Sequence, residues 1–288
     1  MSEMRLQRAL ARAGIASRRA AEELIVEGKV KIDGVVASIG MKVDPDRQKI
    51  TVSGRPIHQV EQRWLAFHKP MGVVTTASDE EGRRTVFDFI KDPRGLTYVG
   101  RLDVNTTGLL LLTTDGEAVH RLTHPSYRVP RSYTALVHGK PAAEIEAAVK
   151  QRVLVDGKAV VPVRTRVRPG KEGRSILDVT LHEGRNRIVR NWCEAMGIKV
   201  DRLARIQYGP VRLGELPVGM TRALFPEEEA ALYKAIDLSP EGVTPTPRPA
   251  PPRRSGGSKP AGRAAATKRR PSKKPATGES RHTSRKRG

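Results

Sequence analysis

Residues 100–116 read GRLDVNTTGLLLLTTDG, a polar segment followed by an apolar run. Residues 97–99 before it and residues 108–112 within it have the composition of strands, so Asp103 is predicted on a loop beside buried structure. By position alone Asp103 has an ordinary alternative role, a turn or cap aspartate whose carboxylate accepts bonds from the amides just after it. The segment therefore predicts a structured polar loop and leaves the role of Asp103 open.

Strands and scattered helices are predicted on both sides of this loop. Extended patterns occur at 64–67, 73–76, 97–99, 131–138, 175–182 and 200–206, with a hairpin over 154–161. Helical patterns occur at 117–122, 141–150, 187–196 and 226–236. A strand-rich order with scattered helices predicts an α+β fold with a mixed, largely antiparallel sheet and flanking helices.

The N-terminal stretch predicts a separate small module. A helix over 4–13 and a second helix capped by Ser17 precede a hairpin at 30–36 and a strand at 49–52, and residues 53–62 resemble a polar linker. Five arginines lie on the helices: Arg5, Arg8 and Arg12 on one face of the first, and Arg18 and Arg19 in the first turn of the second. The helix dipole disfavours cations in a first turn, which suggests contact with phosphate, although ordinary solvated arginines are the alternative.

The charge of the chain is large and unevenly distributed. The 288 residues include 53 Lys and Arg against 31 Asp and Glu, a net charge of +22. Residues 239–288 hold 14 basic and 2 acidic residues, which is +12 of that total, and nine of the 21 prolines. This tail is predicted to be disordered, and a basic chain of this kind most often binds nucleic acid. A solubilising tail on an unrelated enzyme is the alternative.

Several classes of protein are excluded. We expect no membrane span and no signal peptide, and a single cysteine, Cys193, excludes an intramolecular disulfide framework and fits the cytoplasm. There is no phosphate-binding P-loop, no dinucleotide glycine fingerprint and no paired-cysteine zinc site. His120 and His124 stand four residues apart but are expected to be surface residues rather than metal ligands, and Cys193 is expected to pack in the core.

The motifs resemble two known families. Residues 4–54, within RLQRALARAGIASRRAAEELIVEGKVKIDGVVASIGMKV and its continuation, resemble an S4 RNA-binding domain. The segment GRLDVNTTGLLLLTTDG resembles the catalytic signature of the RsuA-type pseudouridine synthases, and four further stretches match that family in order: FHKPMGV, RSYTALVHG, LHEGRNRIVRNWCEAMG and VDRLARIQYGPVRLGELPVG. The resemblance implies an S4 domain of the αL type over 1–54, a pseudouridine synthase domain over 63–237 and the tail over 239–288.

The resemblance also implies the site and its chemistry. Asp103 becomes the catalytic carboxylate, which either attacks C1′ of uridine or abstracts its C2′ proton. Arg185 becomes the cation that pairs with Asp103, and Tyr133 the aromatic face for the flipped uracil. Arg101 is a candidate to fill the gap left by the flipped base, and Lys69 to contact phosphate. No cofactor and no metal are expected.

One departure from the family is visible. The family usually has glutamine at the position of Ile188, and basic residues followed by methionine where this chain has Arg190, Asn191 and Trp192. This departure concerns fine contacts with RNA or within the site rather than the reaction class.

The expected function is the isomerisation of uridine to pseudouridine in ribosomal RNA. The wording of the motifs is closer to large-subunit enzymes of the RluB type, so 23S rRNA is the expected substrate and 16S rRNA the alternative. A non-catalytic S4-type RNA-binding or ribosome-assembly protein is a second alternative, and a DNA-binding protein driven by the tail is a more distant one. We expect a cytoplasmic monomer whose arginine-bearing helices grip the RNA backbone.

Overall fold

The computed structural model describes residues 3–58 and 60–239. The basic tail predicted for 239–288 lies outside these residues except for Ser239, so its disorder stays a prediction. No helix in the described part is both long and apolar enough to span a membrane.

The N-terminal module packs two helices against short antiparallel strands. Its elements in chain order are β1 (Met4–Arg5), α1 (Leu6–Arg12), α2 (Arg18–Val26), β2 (Val30–Ile32), β3 (Val35–Val36), β4 (Lys42–Val43), β5 (Ile50–Val52) and β6 (Arg55–Pro56). A four-stranded sheet has the order β3-β2-β5-β6, and β1 pairs with β4. Leu6 and Leu10 of α1 are fully buried with Val30 of β2, because the apolar positions of the helix recur on one face.

Local signals set the ends of these elements as predicted, with one shift. The Ser17 side chain caps α2 by accepting a hydrogen bond from the backbone N–H of Ala20 (3.2 Å). Asp33 and Gly34 form the turn between β2 and β3, both with positive φ (50° and 89°). The first helix begins at Leu6 rather than residue 4 because β1 pairs with β4, so Arg5 precedes the helix.

The rest of the described chain forms one large mixed sheet with helices. Its elements in chain order are β7 (Trp64–Lys69), β8 (Thr97–Tyr98), β9 (Thr107–Thr113), α3 (Gly116–Thr123), β10 (Arg131–His138), α4 (Ala142–Ala148), β11 (Val153–Val155), β12 (Lys158–Val160), β13 (Arg164–Pro169), β14 (Ser175–Leu181), α5 (Ile188–Ala195), β15 (Lys199–Tyr208), β16 (Val211–Arg212), β17 (Thr221–Ala223) and α6 (Pro226–Ala235). Two 3₁₀ helices span Val86–Phe89 and Pro125–Tyr127.

The sheet is mixed and largely antiparallel, as predicted. Its strand order is β13-β14-β10-β15-β9-β7-β17, with β8 added to β9 and β16 to β15. Among the described strands, β9 and β15 form the parallel pair and the other pairs are antiparallel. The parallel pair lies at the centre of the sheet and places the start of β9, just after Asp103, against the middle of β15.

The structure differs from the sequence predictions in several elements. Residues 73–76 form no strand and make only an isolated bridge between Val74 and Thr85. The strand β13 was not predicted, since RTRVRP has a single apolar residue in its interior. Asp115 is the N-cap of α3, where its side chain accepts hydrogen bonds from the N–H groups of Glu117 and Ala118.

Helices cover the two faces of the sheet unequally. Helices α4 and α5 pack on one face, where Ile145 and Trp192 are fully buried in the main core. Helices α3 and α6 pack on the other face with Leu122 and Leu232, against the part of the sheet formed by β7 and β9. The apolar run of β9 alternates between the two cores, which is why this strand is buried on both sides.

Candidate active site

Asp103 lies on a loop that is anchored from both sides. The Thr106 N–H donates to the Asp103 carbonyl oxygen (3.0 Å), and the Gly72 N–H donates to the Val104 carbonyl (2.9 Å). Leu102, just before Asp103, is 5% exposed in the main core. The Asp103 side chain itself is 31% exposed. Its carbonyl rather than its carboxylate closes the turn, so the carboxylate is directed outward from a fixed backbone.

Lys69 is buried beneath this loop and donates hydrogen bonds to it. This position corrects the prediction that Lys69 contacts phosphate. Lys69 ends β7 and is fully buried, so a phosphate of bound RNA cannot reach it. Its ammonium donates to the carbonyls of Pro70 (3.0 Å), Val104 (3.4 Å) and Thr106 (2.9 Å). Two of these carbonyls belong to the loop of Asp103, so Lys69 fixes the backbone that carries the carboxylate.

The environment of Lys69 perturbs its titration. Burial lowers the pKa of Lys69 to about 8, and Arg205 acts in the same direction, whereas the Asp103 carboxylate opposes both. From its place at the end of an apolar strand, the sequence pattern predicts that Lys69 is exposed to solvent. Its burial follows from the fold of residues 102–106 over it, which the local sequence does not reveal.

The cation beside Asp103 is Arg187 and not Arg185, which corrects the predicted ion pair. The Arg187 guanidinium lies 3.9 Å from the Asp103 carboxylate. Arg185 instead pairs with Glu183 (2.5 Å) and donates to the Val155 carbonyl (2.7 Å). The side chain of Arg185 is therefore committed to the strand β11 and to its own loop.

A second arginine missed by the sequence analysis stands one helical turn further. Arg190 donates to the carbonyls of Asn105 (2.8 Å) and Val200 (3.2 Å), which joins α5 to the Asp103 loop and to β15. Burial, and then the neighbouring Arg187, lower the pKa of Arg190 from its usual value. The spacing of Arg187 and Arg190 at i, i+3 was the available signal, because residues three apart share a helix face.

The backbone explains how Arg187 reaches Asp103. Arg187 is the N-cap of α5 and has a left-handed conformation, with φ 50° and ψ 25°. This conformation is uncommon for a residue with a side chain and often marks functional sites. The helical pattern at 187–196 predicts Arg187 inside the helix, and so does not predict the direction of its side chain.

Tyr133 lies in the predicted strand, β10, on its core side. It is 7% exposed, with Val179 and Arg205 opposite it on the neighbouring strands. An irregularity in pairing with β15 lies between Ser132 and Tyr133. Its hydroxyl has no hydrogen-bond partner in the described part of the chain, so it is available to a ligand.

Arg101 is exposed and, unlike Arg187, unpaired. It precedes Leu102 on the same loop as Asp103 and makes no ion pair with any described residue. This leaves its guanidinium available for contact with bound RNA.

The five arginines of the N-terminal module have different surroundings. Arg5 precedes α1 and donates weakly to the Gly40 carbonyl (3.5 Å), and Arg8 lies 3.8 Å from Glu117 of α3. Arg12 is half-buried, whereas Arg18 and Arg19 are exposed in the first turn of α2, and these three form no ion pair among residues 3–58 and 60–239. Arg18 and Arg19, in the first turn of α2, are therefore both exposed and without an ion-pair partner among the described residues.

The other residues singled out in the sequence, which are Ile188, Cys193, His120 and His124, do not take part in the site of Asp103. Ile188 is 4% exposed and Cys193 fully buried, both in the main core, and burial raises the pKa of Cys193 to about 12. The rings of His120 and His124 are 5.6 Å apart, and the described residues contain no group of three side chains suited to a metal. An apolar Ile188 therefore replaces any polar contact at this position with core packing.

Comparisons with known proteins agree on one family. A family model described as RNA pseudouridylate synthase matches residues 63–195, and a model of the S4 domain matches residues 4–48. An uncharacterized RNA pseudouridine synthase of Aquifex aeolicus is 41% identical over 241 residues, 83% of this chain and 97% of that protein. Proteins named ribosomal large subunit pseudouridine synthase B are 41% identical over 237 residues in Bacillus subtilis (81% and 97% covered) and 43% identical over 255 residues in Shigella flexneri (84% and 86% covered).

A solved structure supports the same comparison. The crystal structure of a pseudouridylate synthase aligns with a TM-score of 0.56 and 28% identity, covering 80% of this chain and 99% of the other. The similarity therefore extends across both the N-terminal module and the large sheet.

Proposed function

Because the chain belongs to the RNA pseudouridylate synthase family, we propose that it isomerises a uridine of 23S rRNA to pseudouridine, with Asp103 as its catalytic carboxylate. The observation that carries the proposal is the outward-facing Asp103 carboxylate on an anchored loop, flanked by Arg187 at 3.9 Å. The names of the relatives from Bacillus subtilis and Shigella flexneri support the large subunit as the source of the RNA.

The reaction balances without an external reagent. The bond between N1 and C1′ breaks, the uracil turns, and a bond between C5 and C1′ forms; a proton leaves C5 and a proton is gained at N1. Asp103 acts either by attack at C1′ or by abstraction of the C2′ proton. The target base must first leave its stack, which costs a few kcal/mol.

The neighbouring side chains supply binding and position. We assign to Tyr133 contact with the uracil ring, since it faces the core side of β10 and its hydroxyl is free. Arg187 and Arg190 orient the Asp103 loop and neutralise nearby phosphate, and the exposed Arg101 contacts RNA beside the flipped base. Arg18 and Arg19 would carry the backbone contacts of the N-terminal module.

We propose that the protein acts in the cytoplasm, which its proposed ribosomal RNA substrate supports. We also propose a monomer, which is supported by the contacts of Asp103 with Arg187 and of Asn105 with Arg190 within one chain.

The experiment combines a site map with one substitution. Pseudouridines are mapped by carbodiimide-blocked primer extension across 16S and 23S rRNA, in wild-type cells, deletion cells, and deletion cells supplied with Asp103→Asn. We expect one 23S site to vanish on deletion and to stay absent with Asp103→Asn, while that protein still binds rRNA within a few-fold of wild type. A vanished 16S site would reject the substrate, and a site restored by Asp103→Asn would reject the catalytic role.

A further inference from the structure

One face of the large sheet is left open by the helices. Along β10 and β14, alternate residues are buried in the main core, whereas the residues between them are partly exposed on the opposite side. Helices α4 and α5 bury residues only in that main core. We call the uncovered side of β13, β14, β10 and β15 the open face.

Arginines stand along the open face in a regular arrangement. Arg164, Arg166 and Arg168 alternate along the edge strand β13, and all three are exposed. Residues two apart in a strand are separated by about 6.6 Å, so the three guanidinium groups form a row. Arg202 of β15 continues the face from an inner strand, because Arg168, Ile176, Leu136 and Arg202 are successive cross-strand partners.

Acidic residues do not cancel these charges. Asp178 lies opposite Arg166 on β14, but its oxygens are held by Arg168 (2.8 Å) and by the Thr134 hydroxyl (2.7 Å). Asp201 of β15 is occupied by Arg174 and His138. Arg164, Arg166 and Arg202 form no ion pair within the described residues, so they are available to an anionic partner.

The open face lies on the opposite side of the sheet from the site of Asp103. Tyr133 belongs to the main core, and Arg187 and Arg190 lie at the start of α5, which packs against that core. A polyanion on the open face would therefore be a part of the RNA other than the target uridine.

We propose that the open face binds the phosphate backbone of an RNA duplex elsewhere in the same RNA as the target uridine, an inference that rests on the proposed function. The chemistry of the face favours a duplex over a single strand. The partly exposed residues that the open face presents beside its charged groups are hydroxyls and small or aliphatic side chains, and none is a Phe, Trp or Tyr that could stack on unpaired bases: Ser132, Thr134, Leu136, Ile176, Thr180 and Ala204. Duplex RNA is recognised by shape and through its phosphates and 2′-hydroxyls.

Protection of an exposed edge strand is the competing explanation. Charged residues on an edge discourage pairing with a second chain, and β13 is an edge strand. That explanation accounts for the row on β13 but not for Arg202, which lies on an interior strand.

The test uses full-length protein and an RNA duplex of about 20 base pairs of arbitrary sequence, longer than the roughly 16 that a double-stranded RNA-binding domain spans. The variant is Arg164→Glu/Arg166→Glu. Its control is Arg152→Glu/Lys234→Glu, two exposed residues of other elements whose replacement changes the net charge by the same amount. Dissociation constants are measured from low to physiological salt by fluorescence anisotropy, together with a single strand of equal length.

The outcomes separate the explanations. We expect Arg164→Glu/Arg166→Glu to weaken duplex binding about tenfold at low salt and to reduce the slope of log Kd against log salt by about 2, at roughly 0.9 per lost phosphate contact. The control should change Kd by less than about threefold. Equal changes in the two variants would overturn the proposal and leave edge protection, and an equal loss on single-stranded RNA would overturn the choice of duplex. Because binding needs no turnover, the result does not depend on whether Asp103 is catalytic.

Discussion

At the scale of single residues, the position of Asp103 was predictable and its partners were not. The run of apolar residues after it indicates a buried strand, and a buried strand implies a polar loop at its start. Which cation reaches Asp103 depends on the left-handed backbone of Arg187 and on the burial of Lys69. Neither is encoded in spacing, and the resemblance to the family placed the ion pair on Arg185 instead.

The ion pair between Arg187 and Asp103 predicts that substitutions of Arg187 and Arg185 have different effects on the reaction rate. Arg187→Ala should lower the single-turnover rate of uridine conversion by about tenfold or more, because it removes the cation that positions the Asp103 carboxylate. Arg185→Ala should stay within about threefold of wild type, since its partner is Glu183. Affinity for 23S rRNA, measured in parallel, should change by a few-fold at most in both. A larger rate loss for Arg185→Ala would restore the original assignment.

The buried lysine predicts a pH dependence of stability. The pKa of Lys69 is about 8 in the folded chain against an ordinary value of 10.5. Between these pH values the unfolded chain holds a proton that the folded chain has lost, so the free energy of unfolding rises with pH, by about 3 kcal/mol in total. Lys69→Met lacks this contribution. Urea unfolding of both proteins from pH 7.5 to 10.5 measures the difference, and equal pH dependence would show that Lys69 titrates as an exposed lysine.

At the scale of elements, patterns with strong apolar periodicity were predictable. The strands β7, β9, β10 and β14 and the helix α5 each present a regular apolar face to a core. The strand β13 was missed because its exposed positions are arginines and Val167 is the apolar residue within its interior. Its pairing with β14 comes from the tertiary fold, which overrides a weak local preference.

The close approach of the parallel strands β9 and β15 predicts that replacing Gly108 strongly destabilises the fold. Gly108 at the start of β9 has φ +105°, and an added Cβ would lie 2.3 Å from the carbonyl oxygen of Arg205 on β15. Gly108→Ala should therefore lower the free energy of unfolding by about 3 kcal/mol or more, because backbone must move against backbone. Gly157→Ala is the control: φ is +72°, open space surrounds the site, and about 1 kcal/mol is expected. Similar losses in urea unfolding would contradict the close approach of β9 and β15.

At the scale of the whole molecule, the sequence predicted two parts joined by a polar linker but not how they meet. Gly14, which follows α1, and Gly95, which precedes β8, approach so closely that a Cβ on Gly95 would lie 2.7 Å from the Arg12 carbonyl oxygen. Arg8 and Glu117 add an ion pair at 3.8 Å across the same junction. The contact is made by glycine backbone and by partly exposed charged side chains. Neither part of the chain therefore carries an apolar pattern that would predict it.

This junction should set how the N-terminal module and the Asp103 loop engage one RNA together. Gly95→Ala forces the Arg12 backbone away, whereas Gly82→Ala, at a similar φ of +70° with open space around it, carries only the backbone strain. Because a loosened module binds RNA with less preorganisation, we expect Gly95→Ala to raise Kd for 23S rRNA about fivefold relative to Gly82→Ala, with little change in the single-turnover rate at saturating enzyme. Equal affinities of the two variants would mean that the junction is not needed to align the arginines of α2 with Asp103, and that the two parts bind RNA independently.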